Sequence, residues 1–136
     1  MDEAKRQLVQ SWLIKAQHDL ATARKVAADP DPYLDTAIYH CQQAAEKAVK
    51  GFLVFRDQEF DKTHKIQFLV ALAIPFEAGF SSWLEVGARL TPYAGMFRYP
   101  GEVLEPNRAE FDQALQEAQD MYNFVLSLLP PEVHPK

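Results

Sequence analysis

The chain has a single cysteine, Cys41, so it has no pair for an intramolecular disulfide and too few thiols for a cysteine-built zinc site. Its five glycines are scattered, and none belongs to a phosphate-cradling loop. The four histidines, His18, His40, His64 and His134, are far apart, which excludes the His-Glu-x-x-His zinc helix. No Glu-x-x-His pair of the di-iron type is present, and no serine sits in a nucleophile elbow. No apolar run approaches the roughly 20 residues that span a bilayer. Nor is there an excess of positive charge. The net charge is −5, and from Ile66 onward four basic residues face nine acidic ones. Non-specific binding along a nucleic-acid backbone draws on surplus Lys and Arg, so a broad duplex footprint is excluded. A local anion pocket is not, because it needs only two or three cations. No cofactor and no metal are called for. Met1–Arg6 is charged and leads into an amphipathic stretch, unlike a signal peptide. With a lone thiol, this gives the cytoplasm as the expected location.

What the sequence does have is apolar content, at 48% of 136 residues, enough for one packed domain. The expected domain covers residues 1–130, with 131–136 as a short tail. Helical periodicity dominates. Leu8, Trp12, Ala16, Leu20, Ala23 and Ala27 recur at steps of three or four, which predicts a helix over 4–28. Asp29-Pro30-Asp31-Pro32 stops it. A second helix over 34–56 carries Leu34, Ala37, Ile38, Cys41, Ala45, Ala48, Phe52 and Phe55. Together they predict an antiparallel helical hairpin. Thr63 is the expected cap of a third helix over 64–78, which Pro75 should shorten or kink. Ser81 or Ser82 should cap a fourth helix that reaches about residue 94. Phe97–Pro106 reads as a loop, and Asn107 caps a last helix over 108–128. Pro130 and Pro131 end it. The expected fold is an all-α, up-down bundle of four to five helices.

Three polar groupings are candidates for a site. Gln43, Glu46, Lys47 and Lys50 recur at i, i+3, i+4 and i+7 on one face of the second helix, with Glu46 and Lys50 in good order for an ion pair. A solvated face is the plain alternative. His64 and Lys65 open the third helix, where free backbone N–H groups favour an anion. A local hydrogen bond is the alternative for His64. Arg98 and Tyr99 stand in a loop ahead of the last helix, where Arg can clamp a phosphate and Tyr can stack on a base. Packing over the bundle end is their alternative. Asp19 is expected to make an interhelical hydrogen bond or ion pair. Cys41, on the apolar stripe, is expected to be buried and inert.

The run Tyr39–Leu53, containing Gln42-Gln43-Ala44-Ala45-Glu46-Lys47-Ala48-Val49-Lys50, resembles the signature helix of the HEPN family. Three further marks follow the family order. They are the Trp12, Ala16, Asp19-Leu20 and Ala23 spacing, Lys62-Thr63-His64, and Arg98-Tyr99-Pro100-Gly101. The resemblance implies an up-down bundle, a homodimer, and partnership with a separately encoded minimal nucleotidyltransferase, often as a toxin–antitoxin pair. Some family members are metal-independent ribonucleases that carry an Arg followed a few residues later by a His. Here neither Arg98 nor Arg108 has such a His, and Arg56 and His64, seven residues apart by the count between them, flank a different loop. The expected function is therefore a nucleotide- or substrate-binding partner that is not an enzyme by itself. ATP or GTP is the candidate ligand, RNA is disfavoured, and no membrane is involved. Lys47, Lys50, His64, Arg98 and Tyr99 would contact the ligand, with Asp19, Gln43 and Glu46 in support. The alternatives are a ribonuclease with a rearranged Arg98–His64 site and a purely structural dimeric partner.

Overall fold

The computed structural model describes residues 1–101 and 105–136. Among the described residues, five α-helices follow one another: α1 (Glu3–Ala28), α2 (Leu34–Phe55), α3 (Ile66–Ala73), α4 (Leu84–Leu90) and α5 (Arg108–Leu128). Short 3-10 turns fill Ala78–Trp83, Thr91–Ala94 and Pro131–Val133. The described residues contain no strand. The expected helical bundle is thus observed. Residues 102–104 of the expected Phe97–Pro106 loop lie outside the described residues.

Helix α2 is the axis of the fold. It packs on α1, α3 and α5, and 15 of its 22 residues are buried. Its apolar stripe is the expected one, extended by Ala44, Val49 and Leu53. Gly51 lets α1 approach: a Cβ there would lie 3.3 Å from Trp12 Cβ. In α1 the buried line begins at Val9 and Leu13 and continues through Ala16, Leu20, Ala23 and Ala27. The expected start at Leu8 and Trp12 is one residue out of register. Leu8 is exposed and Trp12 only half-buried. Both lines fit a helical period, and the position of α2 decides between them.

The helix ends follow local chemistry in part. Asp2 accepts from the Lys5 N–H at 2.8 Å and opens α1. Asn107 accepts from Glu110 N–H at 2.8 Å and opens α5, as expected. Helix α2 closes in a Schellman arrangement, with Gln58 N–H donating to Leu53 O and Asp57 N–H to Val54 O. Asp57 therefore takes the left-handed φ of 56° that glycine usually fills.

Two expectations are corrected. Thr63 does not cap α3; its Oγ1 accepts from Lys65 N–H, while the first α3 amide, Ile66 N–H, donates to Thr91 Oγ1 at 3.0 Å. The cap comes from another element, so α3 starts later than expected, and it stops at Ala73, just ahead of Pro75. The second correction concerns the next segment. Neither Ser81 nor Ser82 caps it; Glu77 accepts from Gly79 N–H and opens a 3-10 turn, and Ser82 donates to Gly79 O. The α-helix then occupies only Leu84–Leu90, before Pro92 turns the chain into a second 3-10 turn.

The C-terminal residues fold back on the domain. Val133 is buried, Gln10 donates to His134 O at 3.0 Å, and Arg6 donates to Glu132 O at 3.3 Å. No helix among the described residues is long and apolar enough to cross a membrane.

Candidate functional site

Most of the polar sector of α2 is covered by the rest of the chain: Gln42, Gln43, Glu46 and Lys50 are buried, while His40 and Lys47 are partly exposed. The sector carries two clusters side by side. In the first, Glu46 is buried and its carboxylate accepts from three groups. Lys50 Nζ lies at 3.0 Å, Gln42 Nε2 at 3.2 Å, and His64 Nδ1 at 2.7 Å. Gln42 Nε2 also donates to His64 O at 3.0 Å, and Gln43 Nε2 donates to Gln42 Oε1 at 2.7 Å. The Lys50 ammonium stands 5.7 Å from the ring centres of both Trp12 and Phe60, an arrangement that suits a partly desolvated cation. This cluster pins the 57–65 segment onto α2.

The second cluster joins α1 to α2. Asp19 accepts from Lys47 Nζ at 2.7 Å and pairs with His40 Nδ1 at 2.8 Å. The interhelical role expected of Asp19 is therefore observed. Burial on its own would raise the Asp19 carboxyl, but the hydrogen bonds from His40 and Lys47, with their charge, outweigh it and hold the group below its usual value. His40 turns Nδ1 to Asp19, which leaves its other ring nitrogen, Nε2, for a second partner. Cys41, next in sequence, is buried, and desolvation pushes its thiol up to about 12. It is a packing residue.

Beside His40 opens a cleft of about 310 Å³ lined by Asp35, Thr36, Tyr39, His40, Phe97 and Arg98. The Arg98 guanidinium lies 4.4 Å from the centre of the Tyr39 ring and also donates to Ala94 O at 3.4 Å. The cleft thus offers a cation backed by an aromatic ring and an imidazole held by a carboxylate.

The candidate residues separate accordingly. Lys47 and Asp19 fall together, behind the cleft. Arg98 lines it. Lys50, Glu46, Gln43 and His64 form the other cluster, and the His64 ring itself remains 67% exposed. Tyr99 is 70% exposed and has no stacking or hydrogen-bonding partner among the described residues. The anion seat expected at the start of α3 is already engaged by Thr63 and Thr91. Arg98 and His64 are not brought together: they rest against Tyr39 and Glu46, which are separated by about 10 Å along the α2 axis. Sequence reasoning missed Tyr39, His40 and Gln42. A signal for His40 existed, because it precedes Lys47 by two helical turns and so shares its face. No local pattern pointed to Tyr39 as the platform for Arg98. The described residues contain no group of three His, Cys, Asp or Glu side chains able to hold a metal ion.

A bundle centred on one helix with two buried glutamines, a buried glutamate and a buried lysine defines a class of helical domain. Residues 9–128 match the HEPN domain, and the chain belongs to the HEPN family. Two solved structures resemble it over nearly their whole length. TT1696 from Thermus thermophilus is 29% identical with a TM-score of 0.77, and the match covers 89% of this chain and 98% of that one. ST0689, described as an archaeal HEPN homologue, is 27% identical with a TM-score of 0.69, covering 88% and 96%. No curated protein matches the chain.

Proposed function

We propose that this HEPN chain is a homodimeric nucleotide-binding module that works as the partner of a separately encoded minimal nucleotidyltransferase, in the manner of a toxin–antitoxin pair. The observation that carries the reading is the Arg98–Tyr39 stack beside His40. The guanidinium can take a phosphate through two hydrogen bonds while its stack on Tyr39 orients it. Lys47, held by Asp19, adds a second cation behind His40. The cleft, at about 310 Å³, accepts part of a nucleotide, such as its base or its phosphates, and leaves the remainder toward solvent or a partner. The partnership and the dimer rest on family membership.

The test is a thermal-shift titration with ATP, GTP and AMP, using the wild-type chain and Arg98→Ala. A ligand at 100 times its dissociation constant should stabilise the native state by about 2.7 kcal/mol, which raises Tm by several degrees. The shift should disappear in Arg98→Ala. No shift with any of the three would refute nucleotide binding and leave the structural-partner reading.

One observation favours a second reading, cleavage of RNA without a metal. The Asp19–His40 pair is arranged as a base with its orienting carboxylate, and Arg98 lines the same cleft. His40 thus takes the place assigned to His64 in a rearranged site. If this reading holds, RNA incubated with the protein in EDTA is cut, and His40→Ala abolishes the cutting while His64→Ala does not. Intact RNA with the wild type dismisses it.

A further inference from the structure

Helix α3 carries two apolar faces where a surface helix carries one. Ile66, Leu69, Val70 and Ala73 are buried against the bundle. Phe68, Ala71 and Leu72 recur at i, i+3 and i+4 on the outer side, with Pro75 just past the helix end, and all four are exposed, Phe68 at 56% and Leu72 at 36%. The only polar side chain of the helix, Gln67, is turned to Thr91, whose hydroxyl donates to it at 2.8 Å. A helix that is apolar all round is normally enclosed. This one is enclosed on one side only.

The outer stripe borders a groove. A hollow of about 690 Å³ contains Val54, Phe60, Asp61 and Leu72, and one of about 410 Å³ contains Phe60, Asp61, Phe68 and Leu72. They share Phe60, Asp61 and Leu72, so they run on as one trough of mixed lining between α3 and the 57–65 segment, with Phe60, Phe68 and Leu72 as its apolar surface. Its charges are sorted along α3. Lys62 and Lys65 lie at the Phe68 end, with Lys65 Nζ 5.2 Å from the Phe68 ring centre. Asp57 and Glu59 lie at the Leu72 end, and Asp61 stands between. Asp57 pairs with Lys5, whereas Glu59, Asp61, Lys62 and Lys65 have no ion pair among the described residues.

We infer that this trough is the seat of a second copy of the chain, with α3 packed antiparallel on the partner's α3 across a two-fold axis. A two-fold interface must be self-complementary. Antiparallel pairing satisfies that requirement, because the lysine end of each copy meets the acidic end of the other while the two apolar stripes cover each other. The helix dipoles are also opposed favourably. The inference rests on the homodimer of the proposed function and supplies its interface. It places that interface away from the Arg98 cleft.

The experiment is sedimentation velocity across a dilution series, with the wild type, Phe68→Asp and Met96→Asp. Both replaced side chains are exposed, so both variants should fold, which circular dichroism checks. The expected result is a wild-type dimer whose dissociation constant rises at least about 100-fold in Phe68→Asp and stays unchanged in Met96→Asp. Ala71→Cys supplies an independent readout. It should form a disulfide-linked dimer under mild oxidation, where Ser127→Cys does not, and buried Cys41 should stay silent. A dimer that survives Phe68→Asp overturns this interface and leaves the dimer standing. A monomeric wild type overturns both. Neither result bears on nucleotide binding, which Phe68→Asp should leave intact in the thermal-shift titration.

Discussion

Replacing Glu46 by Leu while Lys50 stays in place would leave a buried ammonium without its carboxylate. The two groups are 3.0 Å apart, and their side chains are only 4% and 10% exposed. Removing one partner of a buried pair costs about 3–5 kcal/mol. The rings of Trp12 and Phe60 retain part of the cation's stabilisation, which favours the lower end of that range. Loss of the hydrogen bonds from His64 and Gln42 adds roughly 1 kcal/mol, because both groups can turn to solvent or to each other. The expected total for Glu46→Leu is therefore about 4 kcal/mol, a large share of the roughly 5–15 kcal/mol that holds a domain together. The double variant Glu46→Leu/Lys50→Met removes both charges and keeps the volume. It should recover at least about 2 kcal/mol of the loss. Urea unfolding monitored by circular dichroism, with wild type, both single variants and the double, measures the coupling directly. If Glu46→Leu costs under about 1 kcal/mol, or if the double equals the sum of the singles, water already solvates this sector and the buried-network reasoning fails.

Two further outcomes follow from the packing. Cys41 is buried, with its thiol pushed from an ordinary value near 9 to about 12 by desolvation. The unfolded chain therefore ionises first. Its contribution to stability is whole below pH 9 and is lost as pH rises toward 12, and Cys41→Ala should flatten that alkaline limb. Rapid thiol labelling of the native protein at neutral pH would contradict the burial. Gly87→Ala should destabilise by about 1–2 kcal/mol despite the better helix propensity of alanine. The new Cβ would meet Gln67 N at 3.1 Å and Ile66 Cγ2 at 3.2 Å, and a backbone atom yields only if α3 moves. A higher Tm for this variant would mean that α3 is not seated as described.

The long helices were legible because each carries its own signals. Asn107, Phe111, Ala114, Ala118, Met121 and Val125 fix α5 without reference to anything distant, and its ends fell where expected. The short elements were not, because their boundaries are set across the fold. Ile66 N–H bonds to Thr91, and no reading of residues 60–70 contains that threonine. The candidate site divides in the same way. The face shared by Gln43, Glu46 and Lys50 is periodic and visible. Its burial is not, because periodicity shows which residues share a side and not whether another segment covers that side. Here Phe60 and His64 cover it, brought over by a polar segment without a periodic pattern of its own. Arg98 finds Tyr39 across 59 positions of sequence, a contact that chain order does not encode locally.

This division also separates two kinds of polar residue on one helix. A central helix packed on several sides cannot leave its polar side chains to water, so each must find a partner within the protein or a ligand. Glu46 and Lys50 find theirs completely and close the 57–65 segment over α2, which makes them fold residues whose replacement should register in stability. His40 and Lys47 also have a partner in Asp19, yet their side chains remain 26% and 24% exposed, and His40 lines the Arg98 cleft. Residues that share a signature helix thus need not share a role, and the exposed group is the one whose chemistry is available to a ligand.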